Sequence, residues 1–154
     1  MSLPSYVEIG QGILLSLPDQ LDQRNIDGKA FIIADTTVGA LYGAQIRRLL
    51  ESSGKQVAYL ELPPGETTKG LYQTSKLYNW LYESHLERGD FLIALGGGVI
   101  GDLVGYVAAT YMRGLRWAQI ATSLLAQVAS SIGGKVGIDL PGGKNLIGAF
   151  HPPA

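Results

Sequence analysis

Short apolar runs alternate along this chain with stretches in which apolar positions recur every three or four residues. Lys29 to Asp35 (KAFIIAD) is the first such run, and it ends in an acid. Val38, Leu41, Tyr42, Ile46, Leu49 and Leu50 then fall at helical spacing, with Gly54 placed to stop the helix. Gln56 to Leu62 (QVAYLEL) is a second strand-like run, closed by Pro63-Pro64-Gly65. Leu71, Thr74, Tyr78, Leu81, Tyr82 and His85 predict one face of a second helix. Phe91 to Leu95 (FLIAL) is a third strand that runs straight into Gly96-Gly97-Gly98. Strands alternating with helices of this length predict an α/β fold, with a mostly parallel sheet covered on both faces. Tyr6 to Ile9 is expected as a strand outside that alternation.

Trp117 to Gly134 carries no charge and predicts a buried strand followed by a buried helix. Gln119, Thr122, Ser123, Gln127, Ser130 and Ser131 within it argue against a membrane span. Val136 to Leu140 predicts a further strand and Pro141-Gly142-Gly143 a turn, so a C-terminal β-hairpin presents both Lys135 and Lys144.

At 154 residues, 46% hydrophobic and 16% charged, the chain suits one domain over 1–154 with a real core. A chain of about this size buries roughly 70% of its unfolded surface. The composition excludes disorder. The absence of cysteine excludes a disulfide framework, a thiolate metal site and a cysteine nucleophile. A net charge of −1 argues against nucleic acid as a partner. Met1-Ser2-Leu3-Pro4 lacks the basic start of a signal peptide, and a soluble, cytoplasmic protein is expected.

Of the 21 glycines, twelve lie from Phe91 onward, where cations (Arg113, Arg116, Lys135, Lys144) outnumber acids (Asp102, Asp139). Glycine-rich backbone with isolated cations points to a small polyanion bearing phosphate or carboxylate. Gly96 to Gly101 satisfies G-x-G-x-x-G between a strand and a helix, a turn that brings backbone N–H groups against a pyrophosphate. The same glycines also suit close packing, and no acid lies about 20 residues on to hold a ribose. Asp102 is expected in the first helical turn, as a dipole cap or a ligand contact. Asp35, at the carboxyl edge of the sheet, is either a turn residue or a ligand contact. Glu66 and Lys69 read first as a surface pair at a helix start, and otherwise as a clamp. His85 and His151 have no companions at ligand spacing, so no metal site is expected within this chain.

Three segments then carry a family resemblance: ALGGGVIGDLVGYVAATYMRG (Ala94 to Gly114), LLAQVASSIGGK (Leu124 to Lys135) and GKNLIGAFHPP (Gly143 to Pro153). Together with ADTTVGALYG and PPGETTKG upstream, they strongly resemble the 3-dehydroquinate synthases. The resemblance implies a Rossmann-like fold and the NAD-binding N-terminal half of a two-domain enzyme. The helical half, with its zinc or cobalt ligands, is then outside this chain. It implies NAD contacts from Asp35, Glu66, Lys69, Gly97, Gly98, Val99, Asp102, Thr122, Ser123 and Lys144. It implies substrate contacts from Arg113, Lys135 and Asn145, and a homodimeric parent.

The implied substrate is a phosphorylated sugar acid, 3-deoxy-D-arabino-heptulosonate 7-phosphate. Transient oxidation by NAD⁺, phosphate elimination, reduction and an aldol closure give 3-dehydroquinate in the shikimate pathway. The isolated chain is then expected to be inactive alone. Ala129 stands where the family usually has Asp; Ala121, Val136 and Asp139 depart from its usual Pro, Thr and Asn. Alternatives are a sibling sugar-phosphate cyclase, a metal-dependent polyol dehydrogenase, or a nucleotide-binding module without catalysis.

Overall fold

The computed structural model describes residues 6–154, so the reading of Met1-Ser2-Leu3-Pro4 lies outside the described residues. Strands β1 (Ala30–Asp35), β2 (Val57–Leu62), β3 (Phe91–Gly96) and β4 (Arg116–Ala121) form one sheet in the order β2-β1-β3-β4. All three pairings are parallel, with Ala30 opposite Val57 and Phe91, and Phe91 opposite Arg116. Helices α1 (Leu17–Gln23), α2 (Thr36–Val38) and α3 (Ala44–Ser52) precede β2. Helix α4 (Leu71–Glu83) joins β2 to β3, and α5 (Gly98–Thr110) joins β3 to β4. β5 (Lys135–Leu140) and β6 (Gly143–Phe150) form the expected antiparallel hairpin.

The period-two alternation of β1 and β3 divides the core between the two faces of the sheet. Phe31, Ile33, Leu92 and Ala94 pack with Leu77 and Leu81 of α4 and with Leu103, Val104 and Val107 of α5. Ala30, Ile32, Ile93 and Leu95 pack with Leu21 of α1 and with Ile46 and Leu50 of α3. β3 is buried throughout and β1 up to Ala34, as a parallel sheet with helices on each side requires. The hairpin lies over α5: a Cβ on Gly105 would overlap Val136 and stand 2.8 Å from Trp117. The open edge of β4 is covered where Ala154 N–H donates to Trp117 O at 2.8 Å.

Four expectations are corrected. Tyr6 to Ile9 is coil: the Arg24 guanidinium lies 4.6 Å over the Tyr6 ring and 3.4 Å from Glu8, in place of strand pairing. Leu41 and Tyr42 face outward, because Gly39–Gly43 is a π turn between α2 and α3 that breaks the 3.6-residue phase. Gly39 and Gly43 are buried in their stead, where any Cβ would overlap the Tyr59 hydroxyl. On α4 the buried face is Gln73, Thr74, Leu77 and Leu81, so Leu71 and Tyr82 are exposed. The helical stretch after β4 is not buried either: Leu124 is 75% exposed, with Leu125 and Val128 beside it, and Ala126 alone of the Ala126–Ser130 turn is buried.

Candidate functional site

β1 is followed in space by β2 on one side and β3 on the other, so the chain reverses its direction of winding at the β1–β3 boundary. In open α/β sheets that point, at the carboxyl ends of the strands, leaves a crevice. Here the crevice is a cleft of about 180 Å³ lined by Asp35 from β1, Pro63, Pro64 and Gly65 after β2, and Gly97, Gly98, Val99 and Ile100 after β3.

The glycines of the turn have different tasks. A Cβ on Gly96 would crowd Ile100 at 3.0 Å, and one on Gly101 would overlap the Gln119 amide, so these two serve packing. A Cβ on Gly98 would meet nothing within 4 Å, because this residue faces the open cleft. Gly97 is the N-cap of α5 and no side chain caps its first N–H groups. The helix therefore offers uncapped donors and the positive end of its dipole to whatever enters. Thr122 and Ser123 stand beside the turn: Thr122 N–H donates to Gly96 O at 3.1 Å. Ser123 Oγ accepts from Ala126 N–H at 3.3 Å and lies 3.4 Å from a Cβ built on Gly97.

Asp35 is a turn residue that also borders the cleft. One carboxylate oxygen caps α2 by accepting from Val38 N–H at 2.9 Å, and the residue lines the cleft. Asp102 is the fifth residue of α5 and not in its first turn, so it caps nothing. Its carboxylate instead accepts from Lys69 Nζ at 3.1 Å.

Lys69 corrects the surface-pair reading, since its side chain is only 5% exposed. Its ammonium also donates to Asn145 Oδ1 at 2.8 Å, and lies 3.4 Å from Glu66 and 3.7 Å from Asp139. Glu66 is shared with Lys144 at 3.7 Å. Burial pulls the Lys69 ammonium down, but the Asp102 bond and the charges of Asp102, Glu66 and Asp139 outweigh it and hold it above the usual lysine range. Burial raises the Asp102 carboxyl, against the opposing pull of Lys69. The Asn145 N–H bond, helped by Lys69, holds Asp139 below the usual carboxylate range.

The hairpin presents its two lysines at opposite ends, not together. Lys135 pairs with Phe150, whereas Lys144 lies next to the turn. Asp139 stands four positions along β5 from Lys135, about 13 Å. Arg113 is farther away, beyond the last residue of α5, a 13-residue helix. At 1.5 Å per residue that places it about 20 Å from the glycine turn. The structure thus brings Asp35, Gly97, Gly98 and Val99 to one cleft, with Thr122 and Ser123 beside its glycine turn. Glu66, Lys69, Asp102, Lys144 and Asn145 form a charged cluster. Asp139, which joins that cluster, was noticeable in sequence only as a departure from the family pattern. Pro63-Pro64-Gly65 has a plainer signal, a turn at the carboxyl end of a strand. Among the described residues no group of three His, Cys, Asp or Glu side chains is placed to hold a metal ion.

Parallel sheet, two helical layers and a crevice at the winding reversal define a Rossmann-like α/β domain with an added hairpin. Residues 59–154 match the family described as 3-dehydroquinate synthase N-terminal. The chain belongs to that family. It is 50% identical over 147 residues to the 3-dehydroquinate synthase of Latilactobacillus sakei subsp. sakei, covering 96% of this chain and 41% of the relative. It is 54% identical over 123 residues to that of a Ruegeria species, covering 80% and 33%. The chain therefore spans less than half the length of these relatives. Among solved structures it is similar to 2-deoxy-scyllo-inosose synthase, complexed with carbaglucose-6-phosphate, NAD⁺ and Co²⁺ (TM-score 0.86, 26% identity, 94% of this chain and 39% of that one). It is also similar to the 2-epi-5-epi-valiolone synthase of Streptomyces hygroscopicus with NAD⁺ and Zn²⁺ bound (TM-score 0.83, 26% identity, 99% and 44%).

Proposed function

We propose that this chain is the NAD⁺-binding part of a 3-dehydroquinate synthase, and that its cleft takes the dinucleotide. The observation that supports this most directly is the uncapped start of α5 behind Gly97 and Gly98, with Asp35 across the cleft. The open space at Gly98 suits a pyrophosphate lying on backbone N–H groups, and a carboxylate at the end of β1 suits ribose hydroxyls. When bound, NAD⁺ supplies a hydride acceptor, and a zinc or cobalt ion held by residues outside this chain polarises the alcohol to be oxidised.

In this reading Gly97, Gly98 and Val99 seat the pyrophosphate, and Asp35 orients a ribose. Thr122 and Ser123 close the cleft beside the turn. Lys69 stays protonated in its ring of carboxylates, and with Glu66, Asp102 and Lys144 fixes the charge next to the dinucleotide. Asn145, beside Lys69, faces the phosphorylated sugar acid. Lys135 and Arg113 reach that substrate only from the distances described above. The isolated chain carries no catalysis by itself in this reading.

A small phosphorylated substrate, a homodimeric parent and a cytoplasmic site of action belong to the same reading, and membership of the family supports it. The charge balance gives no support to a nucleic-acid partner. Among the described residues no helix is long and apolar enough to cross a membrane. Ala129, where the family pattern has a carboxylate, favours one second reading, a sibling cyclase with a different sugar phosphate. The identities of 50% and 54% to named synthases, against 26% to the cyclases, favour the first.

Calorimetry with millimolar NAD⁺ tests the proposal. A weak, saturable heat that Gly98→Val abolishes is expected. No heat and no shift in melting temperature with NAD⁺ overturns it.

A further inference from the structure

The hairpin register breaks in one place. Ile138 pairs with Ile147 and Leu140 with Gly143, so β5 supplies Asp139 where β6 supplies Lys144, Asn145 and Leu146. Such a bulge re-aims side chains, and it needs something to hold its extra residues. Asn145 takes the left-handed conformation within it, at φ +54°. Its backbone N–H donates to Asp139 Oδ1 at 2.7 Å.

The same aspartate is anchored from behind. Asp139 N–H donates to Lys69 O at 2.8 Å, and Gly70 and Asp139 form an isolated parallel bridge. The Asn145 side chain then completes a circuit, since Lys69 Nζ donates to its Oδ1 at 2.8 Å. Lys69 holds the Asp139 backbone, Asp139 holds the Asn145 backbone, and Asn145 returns to the Lys69 ammonium. The side chain of Asp139 is 16% exposed, while the Asn145 end of its bond lies at the surface.

We infer that Asp139 is a positioning residue for this site: its carboxylate fixes the β6 bulge and so sets where the Asn145 amide and the Lys144 ammonium stand beside Lys69. The essential feature is an acceptor oxygen on a short side chain at position 139. Asparagine has the same oxygen at the same reach and alanine has none. A residue that merely filled space would tolerate both equally. The ligand consequence rests on the proposed NAD⁺ reading, but the bulge itself does not.

The test uses Asp139→Ala and Asp139→Asn, with amide hydrogen exchange at Asn145 and NAD⁺ affinity as separate readouts. Asp139→Ala is expected to speed Asn145 exchange about tenfold or more, the equivalent of one lost bond to a charged acceptor. It is also expected to weaken NAD⁺ binding several-fold. Asp139→Asn is expected to restore both to within about threefold of the unsubstituted chain. Unchanged Asn145 exchange in Asp139→Ala overturns the inference, as does Asp139→Asn behaving like the alanine variant. Where Asp139→Ala does not fold, the coupling across the hydrogen bond between Asn145 N and Asp139 Cγ in the unsubstituted chain decides, and its absence overturns the inference. If the unsubstituted chain binds no NAD⁺, the cleft reading fails while the exchange data still judge Asp139.

Discussion

Lys69 donates to Asp102 at 3.1 Å, tying the loop ahead of α4 to the second turn of α5. Each partner has its affinity for a proton raised, for opposite reasons. Burial disfavours the Asp102 carboxylate, whereas the surrounding acids outweigh burial at the Lys69 ammonium. The pair therefore anchors geometry more than it stabilises the fold. Breaking it from one side still leaves a partly buried charge. Lys69→Met should cost about 3 kcal/mol at neutral pH by chemical denaturation. Because the folded value of Lys69 is raised, that contribution is complete below the ordinary lysine range and is lost only as pH climbs through the raised value. A difference between the two proteins that vanished near neutrality would contradict this.

Asp139 has the opposite sign. Its folded value is depressed, so its contribution is present above the ordinary aspartate range and disappears as pH falls through the depressed value. The stability difference between the unsubstituted chain and Asp139→Asn should be visible at pH 7 and close in strong acid. Denaturation curves at several pH values check it, and a gap that widened in acid would refute the assignment.

Two glycines of α5 should separate binding from folding. Gly98→Val places its side chain in open space, so the melting temperature should hold while NAD⁺ binding is lost. Gly105→Ala drives a methyl into Val136 and the Trp117 ring, and overpacking of that kind costs about 1–3 kcal/mol. Its nucleotide affinity should survive at temperatures where it remains folded. Paired melting and binding measurements distinguish the two patterns.

Ala129 lies exposed in the turn after β4, so a carboxylate there buries no charge. Ala129→Asp should leave the melting temperature nearly unchanged. If the natural full-length enzyme lacks a substrate contact at this position, the same substitution should raise kcat/KM roughly 10- to 100-fold, the equivalent of about 1.5–3 kcal/mol. A stable variant with unchanged turnover would mean that position 129 does not face the sugar.

Tyr59 offers a spectroscopic check on the glycine-lined π turn. Burial, then its hydrogen bond to Glu61 at 2.7 Å, pushes the phenol up to about 12. Glu61→Gln should lower that value, read as earlier tyrosinate absorbance on raising the pH. An unchanged titration would show that the contact is not made in solution.

The strands and the glycine turn were legible because each apolar run is short, bounded and followed by a turn residue. The face of each helix was less so. A π turn between α2 and α3 shifts the phase without leaving a mark in the spacing of Leu41 and Tyr42. Leu124, Leu125 and Val128 read as core because apolar periodicity does not say what an element packs against, and among the described residues nothing covers them. Lys69 read as a surface residue because its partners lie 33 and 76 positions away in sequence. Asp35 and the glycines were recognisable singly, but the difference between packing and cleft glycines is a matter of which side chains stand opposite.

The hairpin over α5 has a further consequence for motion. It pairs with no strand of the main sheet: Val136, Ile138, Ile147 and Ala149 pack it on the core, the Lys69 circuit holds its turn end, and the His151 carbonyl, just after β6, accepts from Trp117 Nε1 at 3.1 Å. A two-stranded ribbon has little stability of its own, so the hairpin should open as one cooperative unit at a free energy below that of global unfolding. Its amides would then exchange together, ahead of those in β1 and β3. Lys144 and Asn145 travel with that unit. Part of the charged cluster beside the cleft is thus carried on a ribbon outside the main sheet, while the glycine turn follows a central strand of that sheet.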